Sequence, residues 1–140
     1  MANPQTGVSV VVVKDGEVLL VKRGKAPFQG YWSLPGGSQN FGESLPSAAT
    51  RELFEETGLI AHSIEFSEFI EPVVHDENGN VTSHFVLGVF ACREFSGNAK
   101  AADDACDLVW SGIDNLTSFL LTPGTAAVIA RIIEHFDTQS

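Results

Sequence analysis

Three glutamates, Glu52, Glu55 and Glu56, crowd into five residues of the stretch GGSQNFGESLPSAATRELFEETGL, residues 36–59. Each residue of an α-helix turns about 100°, so the spacing i, i+3, i+4 puts all three on one face. Like charges in that arrangement destabilise an isolated helix, and the two nearest the C-terminus also oppose the helix dipole. Arg51, four residues before Glu55, offsets part of the repulsion. Two readings account for the crowding. One is a solvated acidic face, which is common on helices. The other is a seat for a hard divalent cation, Mg2+ or Mn2+, which accepts carboxylates, backbone carbonyls and water as ligands.

The flanks separate the two readings. The full pattern is Gly37, five residues, Glu43, seven residues, Arg51-Glu52-Leu53, one residue, Glu55-Glu56, one residue, Gly58-Leu59. From ordinary composition that set at fixed spacing arises roughly once in 10^9 positions. A solvated face has no need of glycines at those places. A loop–helix–loop metal site does, because Gly36-Gly37 lets the backbone approach an ion and Gly58 turns the chain back.

The segment Gly37–Leu59 resembles the complete Nudix box, with every defining position present over 23 residues. Further likeness to small bacterial Nudix enzymes of the ADP-ribose pyrophosphatase-like kind lies in KRGKAPFQGYWSLPGG (22–37) and LLTPGTAAVIARII (120–133). The resemblance implies an α+β fold of the Nudix type: an α/β/α sandwich, a mixed β-sheet flanked by helices, with a catalytic loop–helix–loop. It implies metal-dependent hydrolysis of a nucleoside diphosphate linked to another group X. It puts metal on Glu52, Glu55, Glu56 and the main-chain carbonyl of Gly36, has Arg51 pair within the cluster and orient it, and has Glu43 brace the loop. Family members differ over the acid that activates water. Some use the glutamate matching Glu52 and others an acid in a later loop. Here DDACD (103–107) offers Asp103, Asp104 and Asp107, and spacing to Trp110 favours Asp104; ordinary loop solvation is the competing account.

A diphosphate bridge is anionic and repels a nucleophile. Metal ions neutralise that charge and acidify water, so positioning and electrostatics carry the acceleration. Water then attacks phosphorus with no covalent intermediate. Arg23, with Lys25 second, is placed to clamp phosphates from the end of the second strand. Phe28, in a loop among Pro27, Gln29 and Gly30, is the candidate to stack on a base, whereas Trp32 reads as core. His84 lies on a strand able to line the pocket, against the ordinary account of a half-buried strand histidine. By resemblance the first substrate is ADP-ribose, giving AMP and ribose 5-phosphate, or a related nucleotide sugar. The alternative is a (d)NTP pyrophosphohydrolase of the nucleotide-sanitising type. A non-catalytic nucleotide-binding module is the alternative of another class.

These residues need a frame. Val8–Val13 and Val18–Arg23 read as strands of a hairpin turning at Asp15-Gly16. Tyr31–Leu34 reads as a short strand. Ser44 is an N-cap, Pro46 sits in the first turn, and the helix runs over 45–57 to a stop at Gly58. Ala49 and Leu53 face its core, and Phe54 does not. Strands follow over Ile64–His75 and Val81–Phe95, joined by DENGN (76–80). Asn98–Asp107 reads as a loop and Leu108–Ser111 as a last strand. Thr122-Pro123 caps a final helix with Val128, Ile129, Ile132, Ile133 and Phe136 as its apolar stripe.

The 140 residues suit one domain over 1–140, with 44% apolar and 19% charged residues in the range of an ordinary globular protein. A net charge of −10 argues against a nucleic acid polymer as partner while leaving a small nucleotide open. No apolar run has the length of a membrane span, and VSVVVV (8–13) is too short for a signal peptide core. The expected location is the cytoplasm, with Cys92 and Cys106 as reduced thiols. The Ala/Ile-rich final helix leaves two uses open, core packing or the interface of a homodimer.

Overall fold

The computed structural model describes residues 3–139, with side chains placed through Phe136; Met1, Ala2 and Ser140 of the expected unit lie outside the described residues. In chain order the elements are β1 (Gln5–Lys14), β2 (Glu17–Arg23), β3 (Trp32–Ser33), β4 (Gly36–Ser38), α1 (Leu45–Thr57), β5 (Ile60–Ala61), β6 (Glu65–Ile70), β7 (Val73–His75), β8 (Val81–Cys92), β9 (Phe95–Ser96), β10 (Ala105–Gly112), a 3-10 helix (Ile113–Ser118) and α2 (Thr125–Gln139).

The first hairpin forms as its sequence dictates. Val13 faces Val18 and Lys14 faces Glu17, so only Asp15 and Gly16 make the turn. Both take positive φ, 52° and 77°, which a tight hairpin turn matched to strand twist demands. The main sheet runs β10-β2-β1-β8-β6, with β3 beside β2, β4 beside β1 and β7 beside β8. β1 and β8 pair in parallel and the remaining pairs are antiparallel, so the sheet is mixed.

The valine run of β1 does not alternate with polar residues because both faces of the sheet are covered. Val8, Val10 and Val12 pack with Leu19, Phe90 and Cys92 under Ala48, Ala49 and Leu53 of α1. Val11 points the other way, joining Val18, Leu20, Leu34 and Val89 under Val128, Ile129 and Ile132 of α2. The result is the expected α/β/α sandwich. Leu20 is fully buried at the centre of the second layer. Leu20→Ala is expected to cost about 2–5 kcal/mol, seen as a lower urea midpoint at unchanged slope.

The differences from the sequence reading have local causes. The strand over Ile64–His75 is broken at Glu71-Pro72, where proline brings no N–H to the ladder. The strand over Val81–Phe95 ends at Cys92, and Phe95–Ser96 pairs instead with Ile60–Ala61. The last strand starts three residues early, since Ala105 pairs with Arg23 and Asp107 with Lys22 across a bulge at Cys106. That leaves only Asp103 and Asp104 of the acidic run in the loop. The final helix begins at Thr125, past Gly124, whose φ of 84° is outside helical space. The 3-10 helix had no pattern of its own. Cys92 and Cys106 are free thiols. No described helix is long and apolar enough to cross a membrane.

Candidate active site

Helix α1 is fixed at both ends. Ser44 Oγ accepts the Ser47 N–H at 3.2 Å, and Gly58, with φ 76°, donates its N–H to Phe54 O at 2.8 Å. Ala48, Ala49 and Leu53 turn into the core while Phe54 stays 55% exposed. Glu56 follows Ala49 and Leu53 at i+7 and i+3, so it rides the inward edge of the apolar stripe. The three glutamates are therefore graded in depth: Glu55 is exposed, Glu52 half-buried, and Glu56 only 8% exposed. Glu56 Oε1 accepts the Gly36 N–H at 2.8 Å, which ties the helix to β4.

Arg51 is the hub of the cluster. Its Nε and Nη2 grip Glu43 at 2.8 and 2.9 Å in a two-pronged pair. Nη2 also donates to Ser38 O at 2.8 Å. Nη1 reaches Glu52 Oε1 at 2.8 Å and Glu55 Oε2 at 3.1 Å. Glu43 in turn accepts the Asn40 N–H at 3.0 Å. One guanidinium thus locks the loop before α1 onto the helix and serves as shared counter-ion to three carboxylates.

The charges are distorted accordingly. The Arg51 guanidinium, then the Asn40 N–H, hold the Glu43 carboxyl down at about 2. Burial pushes Glu56 up to about 7; the Gly36 N–H works against this, while Glu52 and Asp104 add to it. Burial also raises Glu52, with Arg51 opposing. The same carboxylates keep Arg51 charged.

Three glycines make the close packing physical, each for its own reason. A Cβ on Gly36 would run into Val8 O of β1, and one on Gly37 would run into the carboxylate of Glu52. A Cβ on Gly7 would sit 2.5 Å from Gly37 O. Gly36 and Gly37 thus serve strand contact and room for Glu52. Gly7 lies outside the motif. Its only signal in the sequence is a glycine inside a strand, which often marks a neighbouring backbone at close range.

The loop carrying Asp103 and Asp104 is stitched to the end of α1 by Lys100 N–H to Thr57 O at 2.8 Å and Ala102 N–H to Glu56 O at 2.9 Å. Arg23, at the end of β2, lies close enough to lower the Glu56 carboxyl, and it donates Nε–H to Pro27 O at 2.6 Å. Lys25 and Asp104 form an ion pair at 2.8 Å. Phe28 is half-buried at φ 60°, its ring 5.3 Å from that of Tyr31. Trp32 packs edge-on against Phe119 at 5.5 Å. His84, near the start of β8, is bonded to Glu71 Oε2 at 2.8 Å and pairs with Val73 of β7.

Among the described residues no three His, Cys, Asp or Glu side chains converge as a ready metal cage. Arg51 draws Glu52 and Glu55 to itself and the Gly36 N–H draws Glu56 inward. The donor chemistry nonetheless fits a hard divalent cation: oxygen ligands only, and a buried carboxylate crowded by two more negative groups. Glu52, Glu55 and Glu56 are the carboxylates on this face of α1 that would hold it.

The NUDIX domain model matches residues 3–136. An ADP-ribose pyrophosphatase of Methanocaldococcus jannaschii is 35% identical over 114 residues, which take in 81% of this chain and just under two-thirds, 65%, of that protein. A putative 8-oxo-dGTP diphosphatase of Bacillus subtilis is 41% identical over 119 residues, 82% of this chain and 71% of that one. Among solved structures, a MutT Nudix hydrolase from Burkholderia pseudomallei superposes with a TM-score of 0.82 at 30% identity, covering 92% of this chain and 98% of its own. The uninterrupted acidic motif on α1, the sandwich that carries it and the match over nearly the whole length leave one conclusion: this chain belongs to the Nudix hydrolase family.

Proposed function

We propose that the chain is a divalent-metal-dependent hydrolase, acting as a single cytoplasmic domain, that cleaves the pyrophosphate link of a nucleoside diphosphate joined to another group. ADP-ribose is the leading substrate and Mg2+ or Mn2+ the cation. The observation that carries the reading is Glu56. A solvated acidic face would leave its charges in water. Here a carboxylate is 8% exposed, aimed at a backbone N–H and pressed by Glu52 and Asp104. Such an arrangement costs stability unless a cation compensates it.

In this reading Glu52, Glu55 and Glu56 hold the ion, joined by the Gly36 carbonyl. A divalent ion there supplies charge neutralisation at the diphosphate and acidifies the attacking water. Arg51 keeps the carboxylates on the correct side of α1, and Glu43 keeps Arg51 in place. Arg23 holds a phosphate at the mouth, with Lys25 beside it. Asp104 or Glu52 takes the proton from water, and no bond forms between enzyme and phosphorus. Phe28, backed by Tyr31, offers one ring face to a base. His84 belongs to the far wall.

The 41% relative supports a second substrate class, an oxidised purine (d)NTP. A panel with Mg2+ separates the two: ADP-ribose, NADH, diadenosine polyphosphates, nucleotide sugars and 8-oxo-dGTP, with products identified. AMP with ribose 5-phosphate is the expected outcome. Pyrophosphate release from a (d)NTP as the fastest reaction would transfer the assignment to the second class. Binding without turnover across the panel would leave a nucleotide-binding module and end the hydrolase reading.

A further inference from the structure

Lys25 and Asp104, candidates for different tasks, are bonded to each other. Lys25 Nζ lies 2.8 Å from Asp104 Oδ2. Their loops also meet through main chain. Arg23 and Ala105 form the last pair of the β2–β10 ladder, and just beyond it Gly24 donates its N–H to Asp104 O at 2.9 Å. A Cβ on Gly24 would sit 3.0 Å from that same oxygen. The backbone therefore keeps the two side chains adjacent whether or not they are paired. With side chains 63% and 50% exposed, the pair is of the weak surface kind and exchanges readily.

The neighbourhood gives such an exchange a consequence. Arg23 acts electrostatically on both Lys25 and Glu56, and Asp104 acts on Glu56. Two cations, Arg23 and Lys25, and two acids, Asp103 and Asp104, thus border the acidic ridge. Arg23 is tied at Nε to Pro27 O, so Lys25, on its long stem, is the freer cation. A diphosphate presents several charged oxygens where Asp104 presents a single carboxylate, and it competes well for an ammonium. We propose that Lys25 is an exchangeable latch, holding Asp104 in the free protein and passing to the diphosphate of a bound nucleotide, which frees the Asp104 carboxylate for the reacting water. The inference rests on the hydrolase reading above and adds to it that substrate arrival itself uncovers the acid.

An exchange differs from a fixed clamp in one respect. Removing the acid should help binding, and only while the lysine is present. The test uses calorimetric titration of α,β-methylene ADP, which carries the diphosphate but resists cleavage there, in the presence of Mg2+. The proteins are the wild type, Asp104→Asn, Lys25→Ala and the double variant. Asp104→Asn is expected to bind up to about fivefold more tightly, the equivalent of about 1 kcal/mol for a surface pair. Lys25→Ala is expected to bind more weakly, and adding Asp104→Asn to it to change nothing. In steady state Asp104→Asn should lower kcat and KM together, a split that a loop-packing role does not produce. Equal or weaker binding by Asp104→Asn overturns the latch. So does the same gain without Lys25, which would mark a general charge effect, and so does an analogue that fails to bind at all. A bound analogue with an inactive Glu56→Gln and no Lys25–Asp104 coupling removes the latch alone. An active Glu56→Gln removes the hydrolase site itself.

Discussion

Glu55→Gln and Glu56→Gln are each expected to reduce turnover at least about 100-fold, with circular dichroism and the thermal transition reporting a folded protein. On the proposed site each change removes a charged oxygen ligand, and even groups that only support the ligands of a metal site account for factors of about 10–100. The preserved fold follows from geometry. Glu55 is exposed and is bonded to Arg51. Glutamine at 56 keeps an oxygen to accept the Gly36 N–H, the bond that ties α1 to β4. Near-wild-type turnover in both variants would remove the site assignment.

Glu56→Gln carries a second signature, in stability, with opposite sign. In the folded protein the Glu56 carboxyl is raised from 4.5 to about 7, first by burial. Between those two values the folded chain binds more protons than the unfolded chain. The metal-free protein therefore loses stability as pH rises through that window, and the loss is complete above about 7. At about 1.4 kcal/mol per pKa unit the full effect is about 3 kcal/mol. In chelator at pH 8, Glu56→Gln should melt several degrees above wild type, and at pH 4 the difference should vanish. A variant inactive yet more stable is the mark of a group retained for chemistry at the expense of the fold. Equal melting at both pH values would mean that the carboxylate is better solvated than its burial implies.

How much of this could be read from the chain depends on range. The helix with its caps, the first hairpin and the acidic face were legible because each is set within a few residues by turn chemistry or by 3.6-residue periodicity. Depth was not. On a helical wheel Glu56 lies nearest Ala49 and Leu53, but only the packing of those two against β1 sets how far it is buried. The Lys25–Asp104 contact joins residues 79 apart in sequence, and it exists because β10 begins at Ala105, where a polar, small-residue stretch gave no strand signal. His84 illustrates the converse. Its strand was legible, but its partner Glu71 became available only through the break at Glu71-Pro72. Long-range pairing, and with it the company each side chain keeps, is what local patterns omit.

The adjacent glycines at the site should fail in different ways. Neither Gly36 nor Gly37 has positive φ, so alanine is not barred by backbone conformation at either place. What matters is which atom the new methyl meets. At Gly36 it meets Val8 O, a backbone atom in the β1–β4 ladder where Ser9 pairs with Gly36 and Val8 with Gly37. Relief requires the two strands to part, and with them the Gly36–Glu56 bond. Gly36→Ala is expected to cost more than about 4 kcal/mol, a drop in Tm on the order of 10 °C or failure to accumulate folded protein. At Gly37 the atoms the methyl meets first are the far end of the Glu52 side chain, which can swing toward solvent. Gly37→Ala should therefore stay folded, within about 1 kcal/mol of wild type, yet lose at least about 10-fold in turnover because Glu52 no longer points at the site. In a Glu52→Ala background the same Gly37→Ala change should cost no further activity, since the displaced carboxylate is already gone. A stable Gly36→Ala would show that the β1–β4 contact absorbs a methyl group, and a Gly37→Ala whose loss persists without Glu52 would show that Gly37 serves the backbone and that Glu52 finds its place by other means.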